Sequence, residues 1–530
     1  MPDWILLLPI LFPLAGALLF PLAARGLPKR IQPQLPIIFL AIEIIAILVN
    51  IAPGSHTLVI STFDLAGLSI VFQIDGVTLL LLLTMFVPLV AVWWVAPPRS
   101  PFRIFSISVS TAAILLSVSG NLISIYFAWT LLDLSIFAWR FADDIERDGA
   151  ARALALSQLA GLGLFAGALM LDTQPSANGA VLVALAFWAR LALFPFHWTL
   201  PMRGSDTLDL WFARGVPLLA ASSLWLRGSI LKLNLPITLI GALAAAAMIA
   251  AAIWIWREEQ PPRAVVVSVS HALAFVPLAI AFGGAAAPAF ALWLALSVAM
   301  ALALFEISLR WRAENRNRYP RLIWFAGILS LAGLPLTPAF LSRVGVYTSL
   351  WESGQWLLLL LAGVTTTLVL APLWNLGFEI KGAEKREPTR REYAGLAVIV
   401  LAGAALALAP MLIAPALAPS VSDSAERAID RVIRTNDLLG VVIGFTLLVL
   451  PVMVSYWLRR AAGRFHPHSG SLIWRAARLI DLEWLERALT SVGYQMGALA
   501  RGASMIAEEN PTVWILFAAL WVAIFISIFH

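Results

Sequence analysis

Long apolar runs separated by short polar stretches recur along almost the whole chain. A run such as GVTLLLLLTMFVPLVAVWWV, residues 76–95, carries no charged residue and is long enough for a helix to cross a hydrocarbon core of about 30 Å. These runs lack the apolar/polar alternation of strands, so a porin-type barrel is excluded. The pattern predicts a polytopic all-α membrane protein.

Counting these runs predicts about sixteen membrane-spanning helices. Their approximate ranges are 4–22, 35–52, 75–96, 102–118, 121–139, 152–171, 179–200, 209–231, 236–256, 264–281, 287–308, 322–343, 355–378, 393–416, 438–458 and 511–529. The first run follows MPDW without a basic segment before it or a small-residue cleavage site, which is typical of a retained helix and not of a signal peptide.

The distribution of positive residues agrees with this count. If the N-terminus lies outside, most of the 36 Lys and Arg residues fall in the inner loops, as the positive-inside rule requires. The pI near 10.0 therefore reflects membrane topology and does not indicate a nucleic-acid partner. We expect an integral protein of a bacterial or archaeal plasma membrane, with the lipid bilayer as its surroundings.

Composition narrows the chemistry further. The chain is 61% hydrophobic and 12% charged, and it contains no cysteine, which excludes disulfides and thiolate-bound metal or iron–sulfur sites. The polar connections are too short for an extramembrane catalytic domain, so we expect no cofactor. No His and carboxylate cluster has metal-ligand spacing, and we therefore predict no metal site.

One segment differs from the rest. Residues 471–507 place apolar side chains at spacings of three and four, with most charged residues off that stripe, which predicts an amphipathic helix lying along the inner membrane surface. It would precede one final span. Such a helix would either reach a neighbouring subunit or brace its own bundle.

Ionisable residues in predicted spans are functional candidates, because each is costly at the bilayer centre. Asp133 lies in the middle of the fifth predicted span and Arg190 in the middle of the seventh. We expect these two residues to form an ion pair between neighbouring helices, since pairing lowers the cost of burying both charges.

Prolines interrupt two of the predicted spans. Pro195 breaks the seventh span and is followed closely by His197, while Pro335 and Pro338 break the twelfth span just before Arg343. Irregular backbone at membrane depth occurs only where protein buries it or where it lines a hydrated cavity. Two broken helices five spans apart predict a duplicated unit whose copies have opposite orientations. The alternative is two unrelated proline kinks with snorkelling arginines.

The other intramembrane ionisable residues are more ambiguous. His271 in the tenth span is either a member of a proton path or a histidine hydrogen-bonded to a neighbouring helix. Glu306 is one helical turn before Arg310, and we interpret that pair as structural. Asp75 is the first residue of the third predicted span, and we assign it no role.

Five segments together resemble a known superfamily. The chain resembles the antiporter-like membrane subunits of respiratory complex I, Mrp-type cation/proton antiporters and membrane-bound hydrogenases, as a divergent member. The segments, in the order of the chain, are FQIDGVTLLLLL (72–83), NLISIYFAWTLLDLS (121–135), FPFHWTLP (194–201), SVSHALAF (268–275) and LAGLPLTPAFLSR (331–343).

The resemblance implies two inverted five-helix repeats, each with a broken helix, and proton movement along a central row of charged residues. It implies other membrane subunits as partners and protons or Na⁺ as the transported ions. The candidate row is Asp133, Arg190, Arg214, His271 and Arg343. The implied organisation is N-terminal helices in 1–101, repeats in 102–231 and 232–378, a C-terminal extension in 379–470, the lateral helix in 471–507 and a last span in 508–530.

The chain departs from the family pattern at its charged positions. Thr130 stands where relatives have a glutamate, although Asp133 lies three residues on, and arginines stand at 190 and 343 where relatives have lysines. The family histidine and lysine of the eleventh span correspond roughly to Ser297 and Ala301. Arginine stays charged in practice, so it cannot release and regain a proton as a buried lysine does.

Two classes of function follow. The first is an ion-translocating, antiporter-like subunit of a complex I-type NADH:quinone oxidoreductase or a related assembly. The second is a structural, non-pumping subunit of such an assembly. A membrane partner in an inorganic carbon accumulation complex is a third alternative, which the sequence does not distinguish from the first.

Overall fold

The computed structural model of the chain describes 56–60, 70–95, 102–141, 147–173, 176–197, 215–230, 233–313, 319–335, 337–379, 419–433 and 438–464, with the single positions 38, 42, 45 and 397. Residues 1–466 form one compact unit, and residues 467–530 form a second unit. The predicted lateral helix (471–507) and the last span lie outside the described residues, as does most of the predicted spans at 4–22, 35–52 and 393–416.

The described residues form fifteen α-helices and one two-stranded sheet. The strands are β1 (His56–Ile60) and β2 (Ile70–Ile74). The helices are α1 (Gly76–Val95), α2 (Phe102–Val118), α3 (Leu122–Phe141), α4 (Arg147–Thr173), α5 (Ala177–Arg190), α6 (Val216–Ile230), α7 (Ile237–Ile255), α8 (Pro261–Leu273), α9 (Phe275–Phe282), α10 (Ala287–Ala313), α11 (Tyr319–Ala332), α12 (Ala339–Glu352), α13 (Trp356–Glu379), α14 (Pro419–Ile433) and α15 (Leu438–Arg464).

Local sequence signals account for several helix starts. Asp75 precedes α1 and accepts a hydrogen bond of 2.8 Å from the backbone N–H of Thr78, which satisfies a donor that the first turn leaves unpaired. Ser176 caps α5 in the same way through Gly179. Helix α8 starts with two prolines, which is favourable because the first turn needs no backbone donor there.

Seven of the described helical segments are long and apolar enough to cross a membrane. They are Leu122–Phe141, Gly149–Asp172, Ile237–Ile255, Pro261–Phe282, Gly284–Trp311, Trp356–Glu379 and Leu439–Arg460. Together with the long apolar runs of the sequence, they make the chain an integral membrane protein with a helical fold, as the sequence predicts. The fourth of these segments comprises α8 and α9, which are separated only by Ala274.

The predicted twelfth span, 322–343, is interrupted as its prolines suggested: it comprises the end of α11, an irregular stretch and the start of α12. Two elements of the structure were not predicted. Helix α14, which is strongly amphipathic, was not predicted, because its charged residues exclude it from a search for apolar spans. The hairpin was also not predicted, because each strand has only five residues.

The hairpin lies against the ends of α2 and α3. Its strands pair antiparallel, with His56 opposite Ile74 and Ile60 opposite Ile70. The backbone N–H of Gly120 donates to the carbonyl of Val71 at 2.8 Å, and a Cβ at Gly120 would lie 2.9 Å from Cγ1 of Val71. Glycine therefore permits the close approach of β2 to the α2–α3 turn.

Helix neighbours recur in two sets of consecutive helices. In the first set α2 packs on α3, α3 on α4, α4 on α5, and α6 on both α2 and α5. In the second set α7 packs on α8 and α9, these pack on α10, α10 packs on α11, and α13 packs on both α7 and α11. Helix α10 is buried along its whole apolar length and lies at the centre of the hydrophobic core, where it also contacts α1, α6, α12 and α14.

Candidate functional site

The first break in a helix lies directly after Arg190. Helix α5 ends at that residue, Ala192 has a left-handed backbone with φ of 51°, and the Phe194–Pro195 peptide is cis. The described backbone continues through two turns to His197. The Trp188 indole donates to the carbonyl of Phe194 at 3.0 Å, which fixes the irregular segment against the helix that precedes it.

Asp133 and Arg190 form the expected ion pair at this break. A guanidinium nitrogen of Arg190 donates to Oδ1 of Asp133 and, at 2.8 Å, to the hydroxyl of Ser157. The indole of Trp129 donates to Oδ2 of Asp133 at 3.1 Å, and the amide of Gln158 donates to the same oxygen at 2.9 Å. We call these five residues the first charged cluster.

The first charged cluster is buried where α3, α4 and α5 meet. Asp133 is 5% exposed and Arg190 is 8% exposed, and the Arg190 guanidinium lies 5.1 Å from the centre of the Trp129 ring. The carboxylate therefore accepts bonds from three side chains. By contrast, Nε and one terminal nitrogen of Arg190 have no hydrogen-bond partner among the described residues.

His197 lies on the opposite side of the break from Arg190 along the chain. Its ring stacks on Phe194, with 5.8 Å between ring centres, and meets the edge of Trp254 at 4.7 Å. Because Trp254 belongs to α7, His197 connects the first set of helices to the second. His197 therefore lies between aromatic side chains directly after the proline break.

The second break separates α11 from α12. Gly333 has a left-handed backbone with φ of 74°, and the hydroxyl of Thr337 closes the loop by donating to the carbonyl of Leu334 at 2.7 Å. Pro335 is exposed, whereas Pro338 is buried and immediately precedes the first residue of α12. Both proline-interrupted segments are thus breaks in the structure.

Arg343 extends back from α12 towards this break and is almost fully buried, at 1% exposed. One terminal nitrogen donates to the carbonyl of Leu331 at 3.1 Å, and the guanidinium carbon lies 3.6 Å from the centre of the Phe275 ring. Its Nε and second terminal nitrogen have no hydrogen-bond partner among the described residues. No carboxylate among the described residues forms an ion pair with Arg343, in contrast to Arg190.

His271 also contacts Phe275. Its ring centre is 5.7 Å from that of Phe275, and its Nε2 is 3.1 Å from the hydroxyl of Thr365 on α13. His271 is 2% exposed. We call His271, Phe275, Arg343 and Thr365 the second charged cluster, in which the histidine and the arginine contact the same aromatic ring.

Other sequence-selected residues have simpler surroundings. The hydroxyl of Thr130 donates to the Tyr126 carbonyl of its own helix at 3.0 Å, so it does not contribute to the first charged cluster. Ser297 bonds to Ser330 on the neighbouring helix. The expected Glu306–Arg310 pair is present, at 2.7 Å. Arg214 lies outside the described residues.

The sequence analysis missed several polar residues that contribute to these clusters. Ser157 and Gln158 form an adjacent polar pair within a long apolar run, and Thr365 begins a run of three threonines in the thirteenth predicted span. Such polar residues in predicted spans were a usable signal. Trp129 and Phe275 carried no such signal, because aromatic residues are common throughout the chain.

A third buried pair was assigned no role from the sequence. Arg227, at 1% exposed, donates to Asp75 at 3.1 Å and to the hydroxyl of Thr78 at 2.5 Å. It also donates to the carbonyls of Gln73 and Ser117. This arginine therefore ties β2 and the start of α1 to the ends of α2 and α6, which is a structural role.

Comparison with known proteins found similar folds but no similar family model or curated sequence. No family model and no curated protein matches the sequence. The fold matches a chain of the Mrp complex from Dietzia sp. DQ12-45-1b with a TM-score of 0.71 and 16% identity, over 93% of this chain. The chain spans only 60% of the length of that Dietzia chain.

Two structures of respiratory complex I from Thermus thermophilus are also similar. The structure with bound aureothin gives a TM-score of 0.59 and 20% identity, over 77% of this chain and 98% of its match. The structure with bound NADH gives a TM-score of 0.64 and 18% identity, over 79% of this chain and 98% of its match. The resemblance to Mrp complexes and respiratory complex I is thereby confirmed at the level of the fold.

Proposed function

We propose that this chain is an antiporter-like subunit that translocates protons or Na⁺ within a complex I-type or related energy-converting membrane assembly. The observation that carries the proposal is the position of the two charged clusters. Each has a buried arginine beside the broken helix of its own set of five helices. Buried charges of this kind mark ion pathways in membrane proteins.

The recurring helix neighbours support the two-repeat organisation that the proposal needs. The broken helix is the fourth element of both sets, formed by α5 in the first and by α11 with α12 in the second. With five spans in each set, the two copies would have opposite orientations in the membrane. Duplicated units with discontinuous helices are the general architecture in which ions cross a membrane by alternating access.

The unpaired donors of Arg190 and Arg343 support a hydrated pathway. A guanidinium has five N–H donors, and both residues leave some of them without a partner among the described residues. Unpaired buried donors are strongly unfavourable in an apolar environment, whereas water can satisfy them. In this proposal the two arginines act as fixed positive charges that order water, while Asp133 and His271 are the groups that exchange protons.

The structural, non-pumping subunit remains the second candidate, because specific contacts favour it. Asp133 already accepts bonds from three side chains, and arginine does not release a proton in practice. A scaffold, however, gains nothing from Arg343, which is buried without a carboxylate partner in the described part of the chain. We therefore place translocation first.

Ion flux in proteoliposomes distinguishes the two candidates. The chain is purified in mild detergent with whatever subunits accompany it, reconstituted, and assayed for proton movement across the vesicle membrane. We expect Arg190→Leu to reduce flux at least about tenfold, because it removes a charge that orients both Asp133 and the water around it. Arg427→Gln is the matched control, since Arg427 is exposed on α14, and we expect it to leave flux unchanged.

Unchanged flux in Arg190→Leu would contradict the translocation proposal and favour the structural subunit. The co-purifying proteins provide an independent test of the assembly. Quinone reductase, hydrogenase or antiporter subunits would support the proposal, and a soluble carbon-hydrating partner would favour inorganic carbon uptake instead. We expect the native location to be a bacterial or archaeal plasma membrane, with the N-terminus outside.

A further inference from the structure

We propose that Arg321, Phe378 and Arg459 form a binding site for the phosphate of an anionic phospholipid headgroup. The guanidinium carbon of Arg321 lies 4.2 Å from the centre of the Phe378 ring. The guanidinium carbon of Arg459 lies 4.4 Å from the same ring centre. Two positive charges therefore share one aromatic ring, and we call these three residues the arginine pair site.

The arginine pair site is built from the ends of three packed helices. Arg321 lies in the first turn of α11, Phe378 is next to the last residue of α13, and Arg459 lies near the end of α15. Helix α13 packs on both of the other helices. The indole of Trp374 donates to the hydroxyl of Ser455 at 3.1 Å and connects α13 to α15 close to the site.

The charges in this site are not balanced by the described part of the protein. Neither arginine forms an ion pair with a described carboxylate, and Nε of Arg321 and one terminal nitrogen of Arg459 are buried without a hydrogen-bond partner there. Because both guanidinium carbons lie within 4.4 Å of one ring centre, they are less than about 9 Å apart, and like charges at this distance repel each other. The Phe378 ring offsets this repulsion only weakly. An anion that accepts charge-assisted hydrogen bonds from both guanidinium groups would offset it much more strongly.

The surroundings of the site place it at the level of lipid headgroups. Leu322, next to Arg321, is 58% exposed, and Trp457, two residues before Arg459, is 81% exposed. Tyr456 is 42% exposed, and its ring lies 3.6 Å from the Arg459 guanidinium. Exposed leucine faces acyl chains, whereas Trp and Tyr concentrate where acyl chains meet headgroups. A ligand entering here would approach from the bilayer.

The predicted topology agrees with an anionic lipid as the ligand. The ends of α11, α13 and α15 that carry the site adjoin segments rich in Lys and Arg, which the positive-inside rule assigns to the inner face. Anionic lipids are abundant in that leaflet, and basic pockets between helices on this side bind their headgroups. A phosphate diester offers acceptor oxygens to both arginines while its acyl chains lie beside Leu322 and Trp457.

Native mass spectrometry of the full-length chain in mild detergent tests the proposal. Delipidated protein is titrated with phosphatidylglycerol or with zwitterionic phosphatidylcholine of the same acyl chains, and bound lipid is counted. We expect phosphatidylglycerol to bind at least about tenfold more tightly, and Arg321→Gln or Arg459→Gln to weaken its binding by about tenfold each. Arg460→Gln is the matched control, because Arg460 is exposed and adjacent, and we expect a change below about twofold.

Three results would overturn the proposal. Equal binding of the two lipids would remove the anionic preference, and equal effects of Arg459→Gln and Arg460→Gln would show only general attraction to positive charge. Inorganic phosphate binding as tightly as phosphatidylglycerol would identify a soluble anion as the ligand. If a Gln variant fails to fold, Arg459→Lys provides the test. It keeps the charge but loses the planar donor fork, and we expect weaker lipid binding with unchanged folding.

Discussion

Asp133→Leu removes the only carboxylate that contacts Arg190 within the described residues and replaces it with an apolar side chain. The arginine would then be a buried charge without a counterion, because the cluster offers it only the Ser157 hydroxyl besides the carboxylate. The donors of Trp129 and Gln158 would also lose an acceptor. We expect a marked loss of folding stability from this single substitution.

The expected loss of folding stability depends on which buried charges and hydrogen-bond donors each variant leaves without a partner. Breaking a buried ion pair by removing one partner costs about 3–5 kcal/mol. Arg190→Leu should lie near the lower end, because Asp133 keeps the donors of Trp129 and Gln158. The double variant leaves no buried charge, and Trp129 still donates to Ser157 at 3.0 Å. Only the half-buried Gln158 amide loses its partner, which costs about 1–2 kcal/mol.

These values predict a favourable coupling free energy of at least about 3 kcal/mol between Asp133 and Arg190. The measurement is equilibrium unfolding in mixed micelles of dodecyl maltoside and sodium dodecyl sulfate, followed by tryptophan fluorescence. Thr130→Val is the matched control on the same helix, because its hydroxyl bonds only within that helix, and we expect a loss below about 1 kcal/mol. If the double variant lost as much stability as the two single variants added together, within about 0.5 kcal/mol, the reasoning would be refuted.

Two further variants test backbone and packing features by the same unfolding measurement. Gly333→Ala should destabilise the protein by about 2 kcal/mol or more, because its φ is 74° and a Cβ would lie 2.7 Å from Cγ of Arg343. Gly163→Ala is its control, since a Cβ there meets nothing within 4 Å, and we expect a neutral or slightly stabilising effect; equal losses in both variants would contradict the assigned strain. Arg227→Leu should cost about 3–5 kcal/mol by leaving Asp75 buried without its cation, and a loss below about 1 kcal/mol would show that this pair does not tie the hairpin to the bundle.

The long apolar helices could be predicted from sequence because their signal is local. A helix that crosses a membrane must satisfy its own backbone and present apolar side chains over its full length, so length and hydropathy suffice to find it. The segments that were missed obey other rules. Helix α14 is amphipathic and buries only one face against α10 and α12, and the five-residue strands depend on pairing with each other and on contacts with α2 and α3.

Some features of the candidate site could likewise be predicted from the sequence, and others depend on helix packing. Residue type and position in a predicted span were sufficient to select Asp133, Arg190, His271 and Arg343 as candidates, because ionisable groups are costly in a membrane. The prolines that follow Arg190 and precede Arg343 were sufficient to predict the two breaks.

The cost of burying two opposite charges was also enough to predict the Asp133–Arg190 pair, which the structure contains. The donors of Trp129 and Gln158 to Asp133, and the contact of Arg343 with Phe275, could not be predicted. Spacing along one helix predicts neighbours within that helix, whereas the other side chains that a residue meets depend on how the helices pack.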